Sequence, residues 1–137
     1  MVSAFHQLFY HLVWSTYKRI EMIDESIEKD LRQLLNDKVI EKQSELLCFG
    51  CTSDHVHLLV RIHPAVSISE LIGEIKGYSS YMLSSYIHKD CGFRWQRGYG
   101  ALTVSQRELP WIIKYVKNQK EHHRRNNLDK KMEITGV

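Results

Sequence analysis

Two stretches of the chain carry residue types that could do chemistry. The first is Asp54-His55-Val56-His57-Leu58-Leu59-Val60-Arg61. In an extended strand alternate residues share a face, so His55, His57, Leu59 and Arg61 project one way and Val56, Leu58, Val60 and Ile62 the other. Two imidazoles at i and i+2 on one face are close enough to grip a single divalent cation, and Asp54 directly before them is placed to orient one ring. A hydrogen-bonded or exposed histidine pair has the same spacing, so the pattern alone leaves both open. The second stretch runs from Pro110 to His123. On a helix Tyr115 and Gln119, four apart, share a face with Ile112 and His122 close by, while Trp111, Ile113 and Val116 are expected to anchor the helix to a sheet. Taken singly, Tyr115 is a half-buried packing residue or a nucleophile. A third candidate, Cys48-Phe49-Gly50-Cys51, is half a zinc site with only Cys91 elsewhere, and on a strand its two thiols would straddle the sheet.

The elements that must position these groups follow from periodicity. Phe5 to Ser15 alternates and is rich in aromatic and branched residues, which predicts a strand. Ile27, Leu31, Leu34, Leu35 and Val39 recur at helical spacing among charges, so 24–44 is an amphipathic helix. Leu46 to Thr52 and Val56 to Ile62 are short apolar runs split by Ser53-Asp54, as in two neighbouring antiparallel strands. Ser67 and Glu70 open a second helix with Ile68, Leu71, Ile72, Ile75, Met82 and Leu83 inward; Gly73 and Gly77 in it suggest close approach of another backbone. Ala101 to Val104 is a fourth strand. Ser105 and Glu108 form a second capping box before a helix from about Pro110 to Arg125. The order βαββαβ plus a final helix predicts an α+β, ferredoxin-like fold: a four-stranded antiparallel sheet with helices on one face and an extra C-terminal helix. Met132 to Val137 reads as a frayed tail.

Composition sets the class. With 137 residues, 43% hydrophobic and 26% charged, residues 1–137 are expected to form one globular domain. No apolar run approaches the ~18 residues a membrane helix needs, and no basic-then-apolar leader opens the chain. Three cysteines make no disulfide framework, so a reducing, cytoplasmic setting is expected. The net charge is +3, yet residues 114–131 hold seven Lys or Arg against Glu121 and Asp129, a net of +5 that leaves −2 for the rest. A basic segment on a neutral body suits a polyanionic partner, and equally a solvated helix face.

The His55-Val56-His57 pair followed by apolar residues resembles the signature of HUH endonucleases. Tyr10-His11-Leu12-Val13-Trp14-Ser15-Thr16, Trp95-Gln96-Arg97-Gly98-Tyr99-Gly100-Ala101 and Tyr115-Val116-Lys117-Asn118-Gln119-Lys120-Glu121-His122-His123 resemble blocks of the IS200-like single-tyrosine transposases of the smallest bacterial insertion sequences. Four blocks in the same order cover most of the chain. One departure, Cys51-Thr52-Ser53 where many relatives carry Met-Pro, touches turn shape more than chemistry. The resemblance implies Tyr115 as nucleophile, His55, His57 and Gln119 as ligands of Mg²⁺ or Mn²⁺, and Asp54 behind a histidine. It also implies a homodimer and, as substrate, single-stranded DNA with hairpins at the element ends. Lys114, Lys117, Lys120, Arg124 and Arg125 would track the DNA backbone, and Tyr78, Tyr81, Trp95 or Tyr99 would stack bases.

These groups suit transesterification. A phenol of pKa ~10 is only about 0.1% ionised at pH 7, so it needs a nearby cation that also relieves charge on the phosphate. Attack by tyrosine would give a 5′-phosphotyrosyl enzyme and a free 3′-hydroxyl, conserving the bond for rejoining. Imidazole must be neutral to bind metal, so cleavage is expected to fall below pH ~6. Two other readings stand beside this one: a domesticated relative of the REP-associated tyrosine transposases, processing chromosomal hairpins, and a non-enzymatic nucleic-acid-binding module on the same sheet.

Overall fold

The computed structural model describes residues 4–120 and 129–136. Four strands, β1 (Phe9–Ser15), β2 (Glu45–Cys51), β3 (His55–Arg61) and β4 (Gly100–Val104), form one sheet in the order β2-β3-β1-β4, every pair antiparallel. Helix α1 (Glu25–Glu41) joins β1 to β2, and α2 (Ile68–Met82) joins β3 to β4. This is the α+β arrangement that the order of elements predicts.

Local chemistry explains the boundaries. Asp24 caps α1 by accepting the Ile27 N–H at 2.9 Å, and Ser67 caps α2 by accepting the Glu70 N–H at 3.1 Å. Ser105 and Glu108 close a reciprocal capping box ahead of helix α3 (Leu109–Lys117). The helix is interrupted at Asn118, whose N–H donates to Lys114 O, and helical backbone resumes at 119–120; its expected continuation to Arg125 lies outside the described residues. Arg124 and Arg125, with His122 and His123, lie outside the described residues. Gly73 and Gly77 face open space, so the expected close approach to another backbone does not occur there.

The two faces of the sheet are covered differently. Leu12 and Trp14 of β1 and Val56, Leu58 and Val60 of β3 point to α1 and α2, where they pack with Ile27, Leu31, Leu35, Leu71, Ile72 and Ile75. The opposite face is covered by α3, whose Ile112, Tyr115 and Val116 pack with Phe9, Cys48, Leu59 and Val104. Trp111 does not anchor this helix; it is 53% exposed, because Ile112 and Val116 occupy the sheet-facing stripe. The C-terminal tail is not frayed. Lys130–Glu133 forms a 3-10 turn, and Met132 joins the cluster beneath α3 while Thr135 is buried. An apolar side chain at Met132 supplies the burial that a short polar tail would lack.

Candidate active site

The β3 alternation seats His55 and His57 on the α3 face, both buried. Their ring centroids are 5.1 Å apart. Each imidazole is held from behind through Nδ1. The Nδ1 of His55 lies 2.7 Å from Asp54 Oδ1 and 2.8 Å from Thr52 Oγ1, both in the turn that joins β2 to β3. The Nδ1 of His57 lies 2.7 Å from Nε2 of His11 on the neighbouring strand. In the β1–β3 register His57 faces Val13, so His11 is its diagonal neighbour, within reach of an aromatic ring. With both Nδ1 positions engaged from behind, both Nε2 atoms face forward, the side on which a cation would be held.

What they face is Glu133, from the tail turn. Its Oε1 lies 3.2 Å from the Nε2 of His55 and 3.2 Å from the Nε2 of His57. Its Oε2 accepts the Tyr115 hydroxyl at 2.5 Å, and the same hydroxyl accepts the Asp129 N–H at 2.9 Å. Ligand atoms of His55, His57 and Glu133 all lie within 4.8 Å of one another.

Helix α3 can bring Tyr115 this close because β2 has a gap beneath it. Gly50 pairs with His57 in the sheet, and a Cβ there would sit 1.7 Å from the Val116 carbonyl oxygen. Only glycine admits the helix backbone at this depth. Gln119, just past the helix, is 1% exposed; its Nε2 donates to Tyr115 O at 3.0 Å, and its Oε1 has no hydrogen-bond partner among the described residues. A buried amide oxygen costs free energy unless something electropositive meets it, so it fits the donor set of a cation site.

Electrostatics follow from burial and these contacts. Burial works against ionising Glu133, but hydrogen bonds from His55 and His57 outweigh it and hold the carboxyl far below its usual range. Burial and then Glu133 push the Tyr115 phenol upward. Burial opposes charge on His55, yet the Asp54 and Glu133 carboxylates win and raise it above its ordinary value. The hydrogen bond from His55 is the largest cause lowering Asp54, with Arg19 3.8 Å away adding to it. Burial, then His57, lowers His11 to about 3, so this ring stays neutral at physiological pH.

The expected DNA-contacting residues are more scattered. Lys114 is exposed on α3. Lys117 borders a cavity of about 660 Å³ with Lys29 and Arg32 of α1, and Lys120 donates to Glu28. That cavity contains none of the histidine and tyrosine groups. Trp95 donates to Ser79 and packs against the α1–α2 core with Tyr78 and Tyr99, leaving Tyr81 exposed beside Tyr86. Cys48 and Cys51 are buried on opposite faces of the sheet, as strand geometry predicts, and make no common site.

Two residues of the site escaped the sequence reading. In the sequence His11 stands out only as a member of the alternating Tyr10-to-Thr16 block, with no role of its own, and Glu133 only as part of a tail. Met132 and Ile134, flanking Glu133 with apolar side chains, were the one local signal that this tail packs.

The chain is similar to known proteins over most of its length. Residues 4–119 match the family described as "Transposase IS200 like". The chain is 29% identical over 119 residues to the ISDra2 transposase TnpA of Deinococcus radiodurans, covering 83% of this chain and 85% of that protein. It is 31% identical over 118 residues to the transposase for insertion sequence element IS200 of Salmonella typhimurium, covering 82% and 76%. The crystal structure of a putative transposase from Deinococcus radiodurans superposes with a TM-score of 0.68 at 29% identity, over 87% of this chain and 95% of that one. A REP-associated tyrosine transposase bound to a REP hairpin shares the fold, with a TM-score of 0.68 at 11% identity over 90% and 73%. A match spanning most of the sequence, carried on this fold, means that the chain belongs to the IS200-like transposase family.

Proposed function

We propose that this transposase cuts and rejoins single-stranded DNA through a covalent bond between Tyr115 and the 5′-phosphate, excising and inserting an insertion sequence. The observation that carries the reading is convergence: both histidine Nε2 atoms and the Tyr115 hydroxyl meet the two oxygens of a single carboxylate. A scissile phosphate likewise needs one oxygen beside a cation and its phosphorus beside the nucleophile.

In the reaction Tyr115 Oη forms a bond to phosphorus as the bond from phosphorus to the 3′-oxygen breaks, and the proton given up by the phenol ends on that oxygen, leaving a 3′-hydroxyl. Rejoining is the same exchange with a new 3′-hydroxyl, so the phosphodiester energy is kept. His55, His57 and Gln119 would hold Mg²⁺ or Mn²⁺, which when bound supplies charge relief on the non-bridging phosphate oxygens. Asp54 and His11 keep the imidazoles turned toward that position. Glycine at position 50 lets α3 bring Tyr115 over it.

The DNA path runs past Lys114, Lys117 and Lys120, with Arg124 and Arg125 continuing the basic stretch in sequence. Hairpins at the element ends are the substrate this family reading implies, and the REP-associated neighbour, itself bound to a hairpin, supports it. One nucleophilic tyrosine per chain means that joining two DNA ends takes two chains, so the working unit is a homodimer. The domesticated, REP-processing reading is second: identity to that protein is 11%, against 29% and 31% to the insertion-sequence transposases.

The test is incubation with Mg²⁺ and single-stranded DNA carrying the element's flanking hairpin, followed by a denaturing gel. Wild type gives a covalent adduct; Tyr115→Phe and His57→Ala do not. An adduct persisting in Tyr115→Phe would move the nucleophile elsewhere.

A further inference from the structure

The tail that delivers Glu133 is built into the fold. Asp129 Oδ1 caps the turn by accepting the Lys131 N–H at 3.0 Å. Met132 is buried among Phe9, Leu59, Val104, Ile112 and Tyr115. At Gly100 of β4, a Cβ would lie 1.8 Å from the Ile134 carbonyl oxygen, so the strand is shaped to receive the tail backbone. These contacts lie on both sides of Glu133 and fix where its carboxylate goes.

Its placement has the spacing of a ligand. In an octahedral site with bonds of about 2.1 Å, neighbouring ligand atoms are about 3.0 Å apart. The distance from Oε1 to each imidazole Nε2 is 3.2 Å. Two imidazoles, the Gln119 amide oxygen and this carboxylate would leave the remaining positions of a six-coordinate ion for water or a phosphate oxygen. The second carboxylate oxygen is already committed to the Tyr115 hydroxyl.

We propose that Glu133 is a bridging catalytic carboxylate: Oε1 completes the divalent-cation site begun by His55 and His57, and Oε2 holds the Tyr115 hydroxyl against it. This rests on the cation-assisted reading above and deepens it. It also changes the charge of the site. Imidazoles and an amide alone would leave the ion at +2, whereas Glu133 brings it to +1, favouring tighter retention of the ion and fixing the nucleophile to the same group that fixes the metal. The competing idea is that Glu133 only occupies the phosphate's place and must leave before DNA enters.

The two ideas predict opposite results. Mn²⁺ is titrated into full-length protein without DNA, by calorimetry, for wild type, Tyr115→Phe, His57→Ala, Glu133→Ala and the isosteric Glu133→Gln. The bridging role predicts affinity about 10- to 100-fold weaker in both Glu133 variants, with Tyr115→Phe close to wild type. It also predicts that Glu133→Gln, saturated with Mn²⁺, forms the DNA adduct at least about 10-fold more slowly in a single turnover, because the phenol has lost its anionic acceptor. Mn²⁺ affinity within twofold of wild type in Glu133→Gln, or adduct formation faster than wild type in either variant, would overturn the proposal. If His57→Ala and Tyr115→Phe abolish the adduct while Glu133→Gln changes nothing, only this inference fails. If none of the substitutions affects the adduct, the cleavage reading itself fails. A thermal melt of each variant controls for folding, and Glu133→Gln carries the test should Glu133→Ala not fold.

Discussion

The two faces of one sheet do different work. Toward α1 and α2, β1 and β3 present Leu12, Trp14, Val56, Leu58 and Val60, every one buried against apolar neighbours. Toward α3 and the tail, the same two strands present His11, His55 and His57, buried just as deeply. Removing apolar surface from water stabilises the fold, whereas burying an imidazole costs free energy unless each ring nitrogen finds a partner. The second face therefore imports partners for His55 and His57, Asp54 from a turn and Glu133 from the tail, with the Tyr115 ring edge-on to His57, while His11 Nδ1 has no partner among the described residues.

Adjacent residues on β3 test this division most sharply. Leu58→Ala should destabilise the protein by about 2–5 kcal/mol, because a fully buried leucine leaves a cavity, yet its folded fraction should still form the DNA adduct. His57→Ala should eliminate the adduct, at least about a thousandfold in rate, at temperatures where the protein remains folded. Urea denaturation read beside the adduct gel gives both numbers. A Leu58→Ala protein that is folded but inert would show that the two faces are not separable.

Two glycines sharpen the comparison. Gly50→Ala thrusts a methyl group against the Val116 carbonyl oxygen, so α3 must move, at a cost of about 1–3 kcal/mol and with most of the adduct lost. Gly73→Ala lies on α2 in open space and should be neutral or stabilising by up to about 1 kcal/mol, with the adduct unchanged. A neutral Gly50→Ala would mean the helix does not sit at this depth.

How much of this is legible in the sequence differs by face. The face toward α1 and α2 is written in local periodicity: Val56, Leu58 and Val60 alternate, and Leu31, Leu35 and Val39 recur by turns, so strand, helix and inward direction follow from spacing alone. For the other face the sequence shows the donors His55, His57 and Tyr115 but not who answers them. The contact from His11 to His57 spans 46 residues and that from His57 to Glu133 spans 76, and both depend on strand register and tail path, which no local pattern encodes. Tail residues 132–136 lack any helical or strand period, so their packing becomes visible only when Gly100 and the α3 cluster are assembled around them.

The partners behind the two imidazoles give a smaller effect with a definite sign. Asp54 and Glu133 raise His55 above its ordinary value of 6.5, despite burial. A protonated His55 cannot hold a cation, so Mn²⁺ affinity should fall as pH drops through this raised value. In Asp54→Asn the carboxylate is gone and the acid limb should move to lower pH. Behind His57 stands His11, neutral down to about 3, so His11→Gln should leave the position of that limb where it is. Calorimetric Mn²⁺ titrations between pH 5 and 8 separate the cases; a limb that stays put in Asp54→Asn would mean His55 does not set it. The folded protein without metal should behave in the complementary way. Stability from protonated His55 is complete below 6.5 and is lost as pH rises through the folded-state value.

The smallest effect concerns the thiols, and it reports on both faces at once. Cys48 looks toward α3 and Cys51 toward α1, with the sheet between them. Burial pushes Cys48 to about 11 and Cys51 to about 12, so at pH 8 neither is thiolate to any useful extent. Cys91 is exposed. Brief treatment of the native protein with iodoacetamide, followed by intact mass, should therefore add one label. Three labels should appear only in denaturant. Because the two buried thiols depend on different covers, a native protein that takes a second label identifies by peptide mapping which cover opens: modification at Cys48 reports α3 and the catalytic face lifting, and modification at Cys51 reports α1 parting from the core.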